Sequence, residues 1–221
     1  MIESKFDYGK PVVIGIATFP GREEFCKQVI KTLEKQADKI FLYDNAIEPL
    51  DICDNGKFSG LTHLEEDVYY LSCDDDIDYP ESYVKDMIEG IKRTQTIVTH
   101  HGRILTEKDR SYYFGHLTYR CLGKVHQQRI IDVAGTGVTA FDTSYFNPKD
   151  LIHSKDLKMS DLIFSLEAAK QKKLITILPH EVGYIKQLPI DMTQTICHTE
   201  QRKCQRQTQI ANEILKLNTR K

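Results

Sequence analysis

The fold is decided by the stretch Val-Val-Ile-Gly-Ile-Ala at residues 12–17, a nearly continuous apolar run. Such a run is typical of a β-strand that is buried on both faces of a sheet. Residues 22–35 place their apolar side chains on one helix face, and a second short apolar run follows at residues 39–43. A strand, a helix and a second strand in this order predict a parallel sheet in an α/β fold.

The middle of the chain first continues this pattern and then changes character. Residues 68–73 and 96–99 have the composition of strands, and Pro80 marks the start of a helix between them. Residues 45–67 are predicted to be rich in loops, because they contain a strong turn signal. Residues 111–120 are aromatic and roughly alternating, which favours antiparallel strands or a hairpin.

The end of the chain adds two helices and a strand. Ser160 is predicted to cap a helix that runs to about Lys170, and a strand follows at residues 174–178. Apolar spacing predicts a last helix within residues 199–217. We therefore expect an α/β fold whose mixed, mostly parallel central sheet is flanked by helices, with a small antiparallel second sheet.

The composition fits one globular domain over residues 1–221, with 40% hydrophobic and 28% charged residues. The net charge of −2 gives no general attraction to nucleic acid, so no nucleic-acid partner is expected. No run approaches the roughly 20 apolar residues of a transmembrane segment, and the N-terminus lacks a secretory pattern. The six cysteines form no Cys-x-x-Cys pair, which indicates reduced thiols. We expect a cytoplasmic protein, associated at most with a membrane face.

The candidate site begins with Ser-Cys-Asp-Asp-Asp-Ile-Asp-Tyr-Pro at residues 72–80. Three adjacent carboxylates at the end of a buried strand repel one another and are costly to bury without a compensating cation. Ligands of open α/β sheets gather beyond the carboxyl ends of the strands. Oxygen-rich sites suit Mg²⁺ or Mn²⁺, which can also hold a diphosphate. The alternative is a solvated acidic loop that caps the next helix, which is the commoner fate of an acidic triplet.

Three nearby segments could contribute to the same site. Thr18 and Arg22 link the first strand to the first helix, where backbone N–H groups can bind an anion, although neither a Gly-x-Gly-x-x-Gly pattern nor a P-loop is present. Asp44 and Asn45 end the second strand and could accept from a base N–H or form an Asx turn. Lys57 could pair with a phosphate or an aspartate, or it could be exposed.

Two later segments are further candidates. Gly135, Thr136 and Gly137 could allow a close approach to a ligand, or they could form a tight hairpin turn. Asp161 lies near the positive end of a predicted helix, where it is the best candidate for a general base. It could also serve only to support the helix terminus.

The histidines are weaker candidates. His100, His101 and His198 could be ligands or substrate contacts, but a lone histidine is more often structural. Cys197 and His198 do not match the spacing of a zinc site.

In their order along one chain, these segments resemble the nucleotide-binding half of the GT-A glycosyltransferases, and in particular small family-2-like members. The carboxylate run, followed by Tyr79 and Pro80, resembles the Asp-x-Asp element of that family. The resemblance covers about residues 12–182. It implies a GT-A fold, Rossmann-like, with a nucleotide-sugar half over about residues 12–100 and an acceptor half over about residues 101–185.

The resemblance implies donor contacts for several side chains. Asp44 would contact the base, usually uracil, and Lys57 would lie near the base or the nucleotide. Asp74 would bind ribose or sugar, and Asp75 would assist on the donor side. The same half of the family's site would include Thr18, Arg22 and Asn45.

The resemblance also implies a metal and a base. Asp76 would ligate the Mn²⁺ or Mg²⁺ that bridges the diphosphate, with Asp75 or Asp74 assisting. His198, from the histidine candidates above, is a further candidate ligand. Asp161 would deprotonate the acceptor hydroxyl, which gives inversion at the anomeric carbon. The family often has two acids before its acceptor helix, and Ser160 replaces the first of them here. Gly135 to Gly137 would lie on the acceptor or sugar side.

The function expected from this resemblance is metal-dependent transfer of a sugar from a nucleotide-sugar donor, with UDP as the expected nucleotide, to a glycan or other hydroxyl acceptor, as in polysaccharide biosynthesis. One alternative is a sugar-phosphate nucleotidyltransferase, which usually needs a glycine-rich basic loop after its first strand, whereas only Gly21 and Arg22 are present here. Another alternative is a non-catalytic module that binds nucleotides or glycans.

Overall fold

The structure is a computed structural model that describes residues 1–106, 111–190 and 205–218. Within these residues, a seven-stranded sheet forms the centre of the protein. The strands are, in spatial order, β2 (Lys39–Asp44), β1 (Val12–Thr18), β3 (Tyr69–Asp74), β10 (Val138–Asp142), β5 (Ile97–Thr99), β11 (Ile175–Ile177) and β8 (Arg129–Ile131). Neighbouring strands are parallel in the pairs β1–β2, β1–β3 and β5–β11, whereas β10 and β8 run antiparallel to their neighbours. The prediction of a mixed, mostly parallel central sheet is confirmed.

Two small antiparallel sheets stand beside the central one. The first contains β7 (His116–Tyr119), β6 (Gly102–Leu105) and β9 (Val133–Ala134). The second pairs β4 (Ile77–Asp78) with β12 (Lys186–Gln187). The predicted small antiparallel sheet is therefore present, but the aromatic segment at residues 111–120 supplies only one of its strands.

In the part of the chain that the structure describes, four α-helices and two 3₁₀ helices flank the sheets. The helices are α1 (Glu23–Leu33), α2 (Tyr83–Thr94), α3 (Ser160–Lys170) and α4 (Gln205–Asn218), and the 3₁₀ helices are Cys53–His63 and Lys149–His153. None of the described helices is long and apolar enough to cross a membrane.

Strand β1 shows how the sheet separates two hydrophobic cores. All seven of its residues are buried. Because side chains alternate along a strand, Val13 packs in one core with Phe58, while Ile14 packs in the other with Val29 of α1 and Met87 of α2. Burial on both faces explains why this strand is a continuous apolar run.

The C-terminal helix α4 packs into the first of these cores. Ile210, Ala211 and Ile214 are buried in the same cluster as Ile163 and Phe164 of α3. The apolar spacing that predicted this helix therefore marks a face that covers the domain.

The segment predicted as loop is partly helical and well buried. Cys53–His63 forms a 3₁₀ helix that crosses β1 closely enough to require glycine there. A Cβ atom on Gly15 would lie 1.9 Å from the carbonyl oxygen of Lys57 and 2.2 Å from the hydroxyl of Tyr70. The Asp-Asn-Gly turn signal at residues 54–56 lies inside this 3₁₀ helix, and it could not show that Lys57 and Phe58, which follow it, are buried.

Candidate functional site

A cavity of about 500 Å³ opens beside the carboxyl ends of β1 and β3. Three consecutive lining residues, Asp74, Asp75 and Asp76, are called here the carboxylate wall. Four further lining side chains come from other parts of the fold and are called the opposite wall: Arg103, Tyr112, Asp161 and Gln207. Parallel strands bring their carboxyl ends to one edge of a sheet, which explains why the carboxylate run lies here.

Lys57 neutralises the first aspartate of the carboxylate wall. Its side chain is only 5% exposed, and its ammonium group donates a hydrogen bond to Asp74. Burial alone would lower the pKa of Lys57, but the charges of Asp74 and Asp54 outweigh it and hold that pKa above its usual value. Lys57 is therefore a buried cation beside the cavity and not an exposed lysine. This agrees with the hypothesis that Lys57 pairs with an aspartate.

Arg22 and Thr18 fix the second aspartate. The carboxylate of Asp75 accepts hydrogen bonds from the Arg22 guanidinium and the Thr18 hydroxyl, both at 2.8 Å. Burial raises the pKa of Asp75, and the charge of Arg22 opposes that rise. Asp75 is 2% exposed and already has these two partners. Its main role is therefore to orient Arg22, and little of its carboxylate is open to the cavity.

Asp76 has the least compensated charge of the three. Arg22 reaches it at 3.1 Å, on the same guanidinium nitrogen that binds Asp75. Burial, followed by repulsion from Asp74 and Asp75, raises the pKa of Asp76 to about 6. A cation at this position would relieve that repulsion.

Gly137 reaches the carboxylate wall through the register of two strands. Val138 of β10 pairs with Cys73 of β3, so Gly137 lies beside Asp74. A Cβ atom on Gly137 would lie 1.9 Å from Asp74 Oδ2. Tyr79 joins the two by accepting from the Asp74 backbone N–H at 2.8 Å and donating to the Gly137 carbonyl at 2.5 Å. Residues 135–137 form a tight turn, in which the Val138 N–H donates to the Gly135 carbonyl at 3.1 Å. The turn is not a hairpin, because the strands that it joins, β9 and β10, belong to different sheets.

Asp161 on the opposite wall is held by Thr136. Its Oδ1 accepts hydrogen bonds from the Thr136 backbone N–H and hydroxyl, each at 2.8 Å. Its Oδ2 lies 4.0 Å from a guanidinium nitrogen of Arg103, and the side chain is 35% exposed. The carboxylate is thus fixed through one oxygen while the other remains near the cavity.

Ser160 does not cap α3 as predicted. It is the first helical residue, and no side chain of the preceding Met159 caps the helix. The Ser160 backbone N–H and hydroxyl donate instead to Asp54, at 3.1 and 2.5 Å. The carboxylate of Asp54, which is distant in sequence, therefore accepts the hydrogen bonds offered at the positive end of α3. Local sequence could not reveal this contact. Burial raises the pKa of Asp54, and Lys57 opposes that rise.

Sequence reasoning missed Arg103, Tyr112 and Gln207. The Arg103 guanidinium donates to the Tyr112 hydroxyl and lies 4.9 Å from the centre of the Tyr112 ring. Gln207 reaches the cavity from α4 and is 3% exposed. No sequence pattern marks Arg103 or Gln207 as a site residue, since one is a single arginine in a strand and the other is one of several glutamines in a helix. Their proximity depends on how β6 and α4 pack.

Asp44 and Asn45 lie outside the residues that line the cavity. Asp44 Oδ1 accepts from the Ala46 backbone N–H at 2.9 Å, which is the geometry of the Asx turn considered above. The Asn45 amide donates to the Thr18 and Cys53 carbonyls and accepts from the Ile52 backbone N–H. These contacts tie the end of β2 to its surroundings and leave a base contact as a prediction.

The histidines do not line this cavity either. His100 is buried, with its Nδ1 3.2 Å from Nδ1 of His180, and burial lowers the pKa of His100 to about 3. His101 is half-buried, and desolvation lowers its pKa to about 4. His198 lies outside the described residues.

The donor set of the carboxylate wall fits a magnesium-like ion only in part. In the part of the chain that the structure describes, no group of three or more His, Cys, Asp or Glu side chains is arranged to hold a metal ion. Mg²⁺, however, usually takes one or two carboxylates together with substrate phosphates. Asp74 and Asp76 provide two such carboxylates on one cavity wall, where burial, followed by repulsion from Asp74 and Asp75, raises the pKa of Asp76.

Comparisons with known proteins do not place this chain in a family. A scan against known protein-family models finds no match, and a search of curated proteins finds none either. The structure shows a mixed α/β fold with a large, mostly parallel sheet and small antiparallel sheets. The resemblance to GT-A glycosyltransferases therefore stays a prediction, and any functional conclusion depends on the geometry of the cavity.

Proposed function

We propose that this protein is a metal-dependent, inverting glycosyltransferase that uses a nucleotide-sugar donor, with UDP as the expected nucleotide. One observation carries the proposal: the carboxylate wall and Asp161 line the same cavity from different elements of the fold. A transfer of this kind needs a site for the leaving diphosphate and a base for the acceptor. The two walls could supply these two functions to one substrate pair.

The carboxylate wall would serve the donor. Asp76 and Asp74 would hold a Mg²⁺ or Mn²⁺ ion, which as a Lewis acid would neutralise charge on the leaving diphosphate. Lys57 and Arg22 keep the remaining aspartate charges from repelling an anionic donor, because each already forms an ion pair with that wall. These ion pairs are formed within the protein itself, so little reorganisation of the site is needed when the donor binds.

Asp161 would act as the general base. The two hydrogen bonds from Thr136 fix Oδ1, so Oδ2 is the oxygen that would take the acceptor's hydroxyl proton. The acceptor oxygen would form the new bond to the anomeric carbon. The bond from that carbon to the diphosphate oxygen would break, with its electron pair leaving on the nucleoside diphosphate.

Two variants test the proposal on separate steps. Calorimetry of UDP binding with and without Mn²⁺ should show Mn²⁺-dependent binding to the wild type and its loss in Asp76→Ala. Asp161→Asn should retain that binding while transfer falls by about a hundredfold or more, because the base is lost but the donor contacts are not.

The outcomes separate the proposal from its alternatives. Unchanged Mn²⁺-dependent affinity in Asp76→Ala would refute the metal assignment, and near-normal transfer by Asp161→Asn would place the base elsewhere. Release of pyrophosphate from UTP and a sugar phosphate would instead identify a nucleotidyltransferase. Binding of UDP-sugars without any hydrolysis or transfer in Mn²⁺ would indicate a non-catalytic module. Asp67→Asn, at an exposed carboxylate away from the cavity, is the matched control.

A further inference from the structure

The opposite wall contains a buried hydrogen-bond acceptor that nothing in the described protein satisfies. Gln207 of α4 lines the cavity and is 3% exposed, and its Oε1 has no hydrogen-bond partner among the described residues. Leaving a buried polar atom unpaired costs about 1–3 kcal/mol. A ligand that brings an O–H or N–H donor into the cavity would remove that cost.

Arg103 adds an unsatisfied donor on the same wall. Its Nε is buried and, within the described part of the chain, has no partner, although a terminal nitrogen of the guanidinium binds Tyr112. The guanidinium packs against the Tyr112 ring, which fixes its plane. Arg103 could therefore donate from Nε to a ligand oxygen without losing its existing contacts.

We infer that Arg103, Tyr112 and Gln207 form a subsite for a sugar ring, so that the acceptor of the proposed reaction is a saccharide. This inference rests on the proposed function, since it assigns a substrate class to the same cavity. A sugar hydroxyl can both donate and accept, so neighbouring hydroxyls could satisfy Gln207 Oε1 and Arg103 Nε together.

Other acceptor classes satisfy these atoms less well. A phosphate or carboxylate offers acceptors alone and would leave Gln207 Oε1 unpaired. An alkyl chain would satisfy neither atom, and sites built with buried polar groups discriminate strongly against such analogues. The aromatic rings of Tyr112 and Tyr113 also line the cavity, where they could pack against the apolar face of a sugar ring.

The position of this subsite favours the acceptor and not the donor sugar. Arg103 lies 4.0 Å from Asp161 Oδ2, the oxygen assigned as the base, whereas the diphosphate is assigned to the carboxylate wall. The Tyr112 backbone N–H donates to the Thr208 hydroxyl of α4 at 3.0 Å, which ties the two parts of the subsite together. The C-terminal helix thus completes a substrate site and is not merely a cover for the core.

The test uses the full chain with UDP, Mn²⁺ and the methyl glycosides of glucose, galactose, mannose and N-acetylglucosamine as probes. Saturation-transfer NMR should detect binding of at least one glycoside to the wild type. Gln207→Leu, which keeps the side-chain size but removes the acceptor oxygen, should weaken that binding by about tenfold, equivalent to about 1.4 kcal/mol. Gln209→Leu makes the same change at an exposed position of the same helix and should have no effect.

Calorimetry of UDP with Mn²⁺ on the same proteins separates the two proposals. UDP affinity should be the same in the wild type and both variants, because the donor is assigned to the other wall. No UDP binding by the wild type would refute the proposed function. Three results would overturn the sugar subsite but not the proposed function. The first is normal UDP binding by the wild type without binding of any glycoside. The others are an equal loss of glycoside binding in Gln207→Leu and Gln209→Leu, and a loss of UDP binding in Gln207→Leu.

Discussion

The two walls of the cavity differ in how far their polar groups are satisfied within the protein. On the carboxylate wall, Lys57 and Arg22 pair with all three aspartates. On the opposite wall, Gln207 Oε1 and Arg103 Nε have no hydrogen-bond partner among the described residues. The first wall is therefore preorganised by internal ion pairs, whereas the second has polar groups that have no partner among the described residues and that a ligand could satisfy. This contrast predicts that changes to the first wall alter stability most.

The strongest test of this contrast is Lys57→Met. Removing one member of a buried ion pair leaves an uncompensated charge, which costs about 3–5 kcal/mol in general. We expect a loss at the lower end of this range, because Asp74 is 37% exposed and water can partly screen it. Urea unfolding monitored by circular dichroism would measure the change in the free energy of unfolding.

Lys27→Met is the matched control for Lys57→Met. Lys27 pairs with Glu24 on the surface, where both side chains are mostly exposed, and such pairs contribute little to stability. Equal losses in the two variants would mean that the Lys57–Asp74 pair is not structurally important.

The second test changes the contact between the loop at residues 135–137 and the carboxylate wall. Gly137→Ala places a Cβ atom 1.9 Å from Asp74 Oδ2, so Asp74 must move away from Lys57. Overpacking of this kind costs about 1–3 kcal/mol, and we also expect weaker UDP binding in Mn²⁺. Unfolding and calorimetry would measure the two effects.

Gly123→Ala is the corresponding control, because the nearest atom to its added Cβ would be 3.4 Å away. Full retention of UDP affinity and stability in Gly137→Ala would show that Asp74 can shift without consequence.

The smallest expected effect concerns the charge of Asp76 and has a distinctive pH dependence. Its pKa is raised to about 6 in the folded protein, from its ordinary value near 4. Between these pH values the folded state binds more protons than the unfolded state, so stability falls as the pH rises. This cost is complete above about pH 6. Asp76→Asn should therefore be more stable than the wild type at pH 7, on the order of 1–2 kcal/mol.

The same variant should lose its advantage as the pH falls towards 4, where Asp76 of the wild type is protonated in the folded state. Urea midpoints at pH 7 and pH 4.5 would measure this, with Asp67→Asn at an exposed site as the reference. An identical difference between Asp76→Asn and wild type at both pH values would contradict the raised pKa of Asp76.

Local sequence predicted the carboxylate wall better than the opposite wall. The three aspartates are consecutive and follow a buried strand, so their shared position follows from the strand alone. Asp161 was found because it lies in the first turn of a predicted helix, but its contact with Thr136 joins residues 25 positions apart. The role of Ser160 was mistaken for the same reason, since its partner Asp54 is 106 positions away.

The parallel sheet and the carboxylate run at its edge could be predicted from the sequence, because hydrophobic periodicity and neighbouring charges are local properties of the chain. Three features became visible in the folded protein: Lys57 is buried, Gly137 lies against Asp74, and β6 and α4 bring Arg103 and Gln207 into one cavity. Those contacts depend on strand register and helix packing between distant segments. Such packing is set by the shape of the whole core, which no local pattern specifies.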